Sequence, residues 1–403
     1  MTAQRPFEGL KVLDLAWVVA GPAIGRVLAD YGATVVRLES SVRVEVGRLV
    51  GPFRDGAPDP QRAAIFDTNN TGKLGMALDL SHPAGRDVVR DLALWADVLI
   101  ESFMPGQMQR WELGSEALRA ANPRLIGLST SLMGQTGPYA TLAGFGQIGA
   151  AMAGFQGLVG HEGAQPIGPY GPYTDFVGPR FSLVALLAAL DHQRRTGEGC
   201  WLDVSQGEAG IQFLAAEVVA AAATGRSAGA HGNRDPQFAP NGVFRCRGQD
   251  AWIAITAQDD ACWARMAGQI GGEALDPAFA DLAGRKAHED RLEAVVQAWT
   301  LDRPAADLEP QLQALGVAAH RAATSADMVA DLQLRERGHF QRLPHPLGGD
   351  SVFEASRFTL SETPANYVRP APHFGRDAQQ ILQGVLAYDA QRIADLQAAN
   401  VLR

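Results

Sequence analysis

Along the N-terminal third of the chain, short runs of aliphatic and β-branched residues alternate with longer stretches whose apolar positions recur every three to four residues. KVLDL at 11–15, TVVRL at 34–38, DVLI at 97–100 and RLIGLST at 124–130 predict strands. Residues 22–31, closed by Gly32, and residues 87–95 and 115–121 predict the helices between them. Strands that alternate with helices predict an α/β, Rossmann-like parallel sheet with helices on both faces. A ligand of such a sheet sits beyond the carboxyl ends of its strands.

From 136 to 179 the texture changes to Gly, Pro and Tyr and ends in PIGPYGPYTDFVGP, too irregular for a helix or strand. An ordered loop of that length is more often functional than idle. A strongly apolar helix is predicted over 180–193, a strand at 201–204 and a second buried helix over 208–223; the Ala- and Gly-rich stretch at 221–234 resembles a linker. Strands at 242–245 and 251–256, with helices at 260–270, 291–300 and 305–315, predict a smaller α+β unit. The tail carries Pro344, Pro346, Pro364, Pro370 and Pro372 and ends in helices at 377–386 and 389–399. The expected organisation is a large α/β domain over 1–220, a linker over 221–240, a small α+β domain over 241–338 and a C-terminal segment over 339–403.

Composition changes this picture by exclusion. With 46% hydrophobic and 20% charged residues the chain can bury a sizeable core. A net charge of −9 without a basic run is unsuited to a nucleic-acid partner. No apolar run approaches the roughly 20 residues of a membrane span, and MTAQRPFEGL has none of the features of a signal peptide, so no membrane partner and a cytoplasmic location are expected. Cys200, Cys246 and Cys262 are scattered, without CxxC spacing, so no disulfide framework and no metal site is expected.

The segment 10–39 has the parts of a dinucleotide site, but its turn reads AGPAIG and lacks the second close-approach glycine. The literal GxGxxG at Gly144, Gly146 and Gly149 follows a loop rather than a strand and is read as a chance match. Asp175 precedes Gly178 and Pro179, and Pro179 suits the first turn of the apolar helix that follows. A carboxylate at such a place is either a helix-capping acid or, held ionised by the helix dipole beside a loop that admits a ligand, a reactive group. Arg37, Lys73 and Arg110 fall near strand ends, where an anion would bind; each is also compatible with ordinary surface charge. The histidines form neither HExxH nor a GxSxG partner, which excludes the common metallohydrolase and serine-hydrolase patterns.

Five blocks in order give these residues a context: GLKVLDLAWVVAGPAIGRVLADYGATVVRLE, GKLGMALDLSHPAGRDVVRDL, ADVLIESFMPGQMQRWELG, NPRLIGLSTSLMGQTGPY and LAALDHQRRTGEGCWLDVSQGEA. Together they resemble the class III coenzyme A transferases, the group of formyl-CoA transferase, carnitine-CoA transferase and α-methylacyl-CoA racemase. The resemblance implies acyl-CoA and a carboxylic acid as substrates, no permanently bound cofactor, and succinyl-CoA as the expected donor. It places the nucleophilic aspartate on Asp175, and the coenzyme contacts on Val18, Ala20, Leu78, Ser102, Phe103 and Arg110, with Lys73 and Arg37 nearby. Where the family usually has a further arginine this chain has Ser40. Phe145, Gln147 and Tyr173 are the expected acyl-pocket residues. The resemblance also implies an interlocked homodimer and a C-terminal tail that returns to the large domain. Two readings compete with transfer: a racemase or isomerase using Asp175 as acid/base, and a non-catalytic subunit of a two-subunit transferase. Racemase members carry His-Asp where this chain has Phe145-Gly146, and 256–263 lacks the glycine-rich flap of many transferases.

Overall fold

The computed structural model describes residues 4–403, which form two compact units. The first comprises the chain up to Gln156, Gly168–Ser227 and Arg335–Arg403; the second comprises Gly157–Ile167 and Ala228–Leu334.

The first unit is built on a six-stranded sheet: β1 (Lys11–Asp14), β2 (Thr34–Glu39), β3 (Leu74–Ala77), β4 (Val98–Glu101), β5 (Ile126–Ser131) and β6 (Trp201–Ser205). Its order is β3-β2-β1-β4-β5-β6, with every neighbouring pair parallel. Side chains alternate across it: Leu13, Val36, Met76 and Leu99 enter one core, Val12, Val35, Ile100 and Leu128 the other. Both faces are therefore buried, which is why the strands carry continuous apolar runs rather than alternating ones. Helix Ala20–Asp30 and helix Tyr173–Thr196 cover the second face through Ile24, Leu28, Leu186 and Leu190. On the first face, Val88, Val89 and Leu92 are joined by Ile381, Leu382, Ile393 and Leu396 from the end of the chain. The Asp377 carboxylate ties this tail to β3 by accepting from the Gly75 N–H at 2.8 Å.

The structure departs from the sequence expectation in several places. β3 has no counterpart among the predicted strands: its four residues include Gly75, where an added Cβ would lie 2.5 Å from Pro372, so the tail rather than strand propensity selects the glycine. The helix predicted from 180 begins seven residues earlier, at Tyr173, and runs through Pro179. The buried helix predicted over 208–223 is Gln206–Ile211, a 3₁₀ turn at Gln212–Leu214, and helix Ala215–Thr224, whose residues are all at least partly exposed. The proline-rich tail also forms an antiparallel hairpin, Phe340–Pro344 with Asp350–Glu354.

The second unit has an antiparallel sheet of β7 (Asn241–Arg245), β8 (Trp252–Thr256) and β9 (Ala318–Arg321), in that order. Helices Asp260–Ile270, Glu289–Leu301 and Ala305–Ala314 pack on it through Trp263, Met266, Leu292, Val296, Leu308 and Leu312.

Candidate active site

In the first unit, β1 is flanked by β2 on one side and β4 on the other, so the order in which strands are added to the sheet reverses between β1 and β4. The crevice beyond the carboxyl ends at such a reversal is the natural binding site of a doubly wound sheet. A cleft of about 280 Å³ opens there. Its walls are Trp17–Ala20 after β1, Ser102–Pro105 after β4, Thr130–Leu132 at the end of β5, Gly144 and Phe145, and Asp175 and Gln206.

Asp175 lies in the first turn of the 24-residue helix Tyr173–Thr196, where the dipole favours a negative charge. It is nonetheless 7% exposed, and among the described residues no Arg or Lys pairs with it. Burial raises its pKa from 3.8 to about 6, opposed only by the neighbouring Gly146 backbone N–H. The dipole that the sequence suggested would hold the carboxylate ionised is thus outweighed by desolvation. Pro179 has no N–H to give the Asp175 carbonyl four residues earlier, so the turn bearing the carboxylate lacks one helical bond.

The GFGQIG motif acquires a steric role. It occupies the start of helix Gly146–Met152, packed on the Asp175 helix. A Cβ on Gly146 would lie 2.6 Å from the Pro172 carbonyl oxygen and 2.9 Å from Asp175 Cγ. Glycine is therefore required for the loop to approach the carboxylate, and not for a phosphate.

The turn after β1 is held from beneath by buried charges. Asp14 accepts from the Ala16 N–H at 3.0 Å and from Lys73 at 2.7 Å, and Arg37 bridges Asp14, at 3.2 Å, to Glu45 and the Ala16 carbonyl. The Lys73 ammonium also donates to the Pro22 carbonyl and Asn70 Oδ1, both at 2.8 Å. Burial acts throughout this network: it lowers Lys73 to about 8 and raises Glu45, while at Asp14 it is outweighed by Lys73 and Arg37, which hold that carboxyl below its usual range. Above this network Val18 adopts φ = 65°, a left-handed conformation that a β-branched residue rarely tolerates. Such strain concentrates where the backbone is shaped for a ligand.

The predicted site residues divide accordingly. Asp175, Val18, Ala20, Ser102, Phe103 and Phe145 all line the cleft. Ser102 Oγ accepts from the Trp17 N–H at 2.8 Å, joining the β1 and β4 loops. Arg37 and Lys73, expected near the coenzyme, are both 0% exposed and paired with carboxylates beneath the turn, and neither lines the cleft. Leu78 is likewise a core residue, 1% exposed, with its N–H bonded to the Glu39 carbonyl. Arg110 is exposed in the short helix Gln107–Arg110, donating to Gln107 at 2.6 Å, and is not part of the cleft wall. Gln147 is exposed and Tyr173 packs edge-on against Phe155, ring centroids 4.9 Å apart; neither lines the cleft. Sequence reasoning missed Trp17, Thr130 and Gln206 in the wall, and Arg43, whose guanidinium lies 5.5 Å from the Trp17 ring and supplies an exposed cation beside it. The polar ends of the otherwise apolar strands, ST after IGL and SQ after LDV, were the available signal.

The fold and site define an α/β protein with a cleft where the strand order reverses and a desolvated carboxylate in the wall of that cleft. Comparison with known proteins narrows the class: the profile of CoA-transferase family III matches residues 7–378. Succinyl-CoA–D-citramalate CoA-transferase of Chloroflexus aurantiacus is 30% identical over 99% of this chain and 98% of its own length. Succinate–glutarate CoA-transferase of Agrobacterium fabrum is 31% identical over 94% and 95%. The crystal structure of a CaiB/BaiF family protein from Brucella suis superposes with a TM-score of 0.87 at 30% identity, over 95% of this chain and 100% of that one. The chain belongs to CoA-transferase family III and is an enzyme of that family, with acyl-CoA as substrate.

Proposed function

We propose that this enzyme moves coenzyme A from an acyl-CoA donor to a free carboxylic acid through covalent intermediates on Asp175. The observation that carries this reading is a buried carboxylate with no cationic partner among the described residues, set in the wall of the switch-point cleft. Desolvation and a pKa of about 6 make it a better nucleophile than a solvated aspartate while leaving it ionised at neutral pH.

The Asp175 carboxylate attacks the thioester carbonyl, the C–S bond breaks, and a mixed anhydride and the coenzyme thiolate result. The thiolate attacks the aspartyl carbonyl, releasing the donor acid and leaving an aspartyl-CoA thioester. The acceptor carboxylate attacks that thioester, giving a second anhydride and thiolate. Attack of the thiolate on the acceptor's acyl carbon forms the new acyl-CoA and regenerates Asp175. No proton or electron is gained overall. The strained Val18 turn, Ser102 and Phe103 are the proposed guides for the coenzyme arm, and Arg43 is a candidate for its phosphates.

Succinyl-CoA is the proposed donor, since relatives from Chloroflexus and Agrobacterium are named for succinyl-CoA or succinate. Helix Ala215–Thr224 supports a homodimer: its sequence AAEVVAAAAT is almost wholly apolar, yet Val218 is 48% and Val219 68% exposed. Phe213, Phe181 and Val184 extend this apolar surface, and a second copy is the proposed cover, in the interlocked form implied by the family resemblance. Three free cysteines suit the reducing cytoplasm proposed for the reaction.

The test is intact-protein mass spectrometry after brief exposure to a panel of acyl-CoA thioesters and hydroxylamine, wild type against Asp175→Ala. A hydroxamate on Asp175, absent from the variant, is expected. No adduct with any thioester, together with exchange of the acyl α-proton into solvent, would replace transfer by isomerisation.

A further inference from the structure

Three buried polar atoms of cleft-wall residues, Thr130 Oγ1, Ser131 Oγ and Gln206 Oε1, have no role in the chemistry above. Thr130 is 0% exposed and Gln206 7%, yet Thr130 Oγ1 and Gln206 Oε1 have no hydrogen-bond partner among the described residues. Buried polar atoms are nearly always paired, because an unpaired one forfeits its hydration without return.

Thr130 stands on one face of β5, opposite Val204 in the β5–β6 register, and Gln206 opens the helix Gln206–Ile211 directly after β6. Thr130 Cγ2 lies 3.4 Å from where a Cβ on Gly21 would be, so this face looks toward helix Ala20–Asp30. Gln206 Cγ lies 3.1 Å from the corresponding point on Gly178, three residues beyond Asp175 and hence on the same side of its helix. The two orphan groups sit beside the nucleophile and line the same cleft.

We propose that Thr130 and Gln206 form a specificity subsite for a hydroxyl group carried by the acyl chain, so that the enzyme prefers hydroxy acids to their deoxy parents. This rests on the transferase reading for its consequence in turnover. A hydroxyl satisfies both orphans at once, accepting from one and donating to the other, whichever way the Gln206 amide is turned. A methylene leaves both atoms unsatisfied, the situation in which polar pockets discriminate most strongly.

The experiment pairs butyrate with 2- and 3-hydroxybutyrate, and succinate with 2-hydroxysuccinate. Each acid is measured by calorimetric binding to the intact protein and by kcat/KM as acceptor, for wild type, Gln206→Leu and Thr130→Val. Both substitutions are nearly isosteric, and the wild-type preference is itself a test that needs no variant. The expected result is a preference of roughly tenfold or more for at least one hydroxy acid over its parent, largely erased in each variant while the parent acid is handled as before. Equal handling of every pair by wild type would overturn the proposal. So would a preference that survives substitution, or an equal loss on hydroxy and parent acids, which would assign the two residues to the coenzyme arm or to folding. A binding preference without any transfer would refute the transferase reading and leave the subsite standing; transfer without preference would do the reverse.

Discussion

Replacing Asp175 by asparagine separates what its charge does for catalysis from what it costs the fold. The carboxyl is buried and its ionisation is displaced upward, from 3.8 to about 6, chiefly by desolvation. A carboxyl with a raised folded-state pKa favours the folded protein in its protonated form. That advantage is complete below about pH 4 and is lost as the pH rises through 6, because the unfolded chain ionises first. At roughly 1.4 kcal/mol per tenfold, the ionised side chain destabilises the native state by up to about 3 kcal/mol at neutral pH. The amide of the Asp175→Asn variant keeps the shape and an acceptor for the Gly146 N–H but cannot ionise. Urea unfolding of wild type and variant from pH 4 to 8.5 is the assay. The variant should match wild type near pH 4, gain on it between 4 and 6, and stay ahead above 6. Its transfer activity should be absent throughout. In the wild type, kcat/KM for the acyl donor should rise with unit slope and level off near pH 6. A stability difference independent of pH, or a wild type more stable than the variant at pH 8, would show that the carboxylate is compensated by an interaction and that desolvation does not set its pKa.

Other perturbations probe the support of the site. Gly146→Ala drives a methyl group against the Pro172 carbonyl and Asp175 Cγ; steady-state kinetics should show a fall in kcat of roughly 100-fold, since displacement of a nucleophile by about 1 Å has that effect. Arg37→Met leaves Asp14 and Glu45 buried without their shared partner and should destabilise the protein by about 3–5 kcal/mol in chemical denaturation at pH 7, with part of the loss recovered at acid pH as Glu45 takes up a proton. Val219→Lys places a charge on the uncovered apolar helix and should shift light scattering from dimer toward monomer.

How far the sequence disclosed all this depended on whether the cause of a feature was local. β1, β2, β4 and β5 were legible because burial on both faces writes itself into a continuous apolar run. β3 was not, because Gly75 answers to Pro372, nearly three hundred residues away. Pro179 suits the start of a helix by positional preference, but the helix begins at Tyr173 and tolerates the lost bond. The block resemblance supplied Asp175, while its burial, which decides its chemistry, comes from a loop and a helix that only the fold assembles.

The fate of the cations shows most clearly why charge pattern alone misplaces a site. Arg37 and Lys73 stand at strand ends, where anions commonly bind, and the sequence contains no local sign that Asp14 and Glu45 neutralise them. Yet this pairing fits the proposed reaction. A free cation near Asp175 would lower its pKa and, with it, the reactivity of the carboxylate toward a thioester. By confining both of these cations to the underside of the 15–19 turn, the fold shapes the cleft with full charges while leaving the Asp175 carboxylate uncompensated. The first turn of a long helix relieves part of the cost of the unpaired charge.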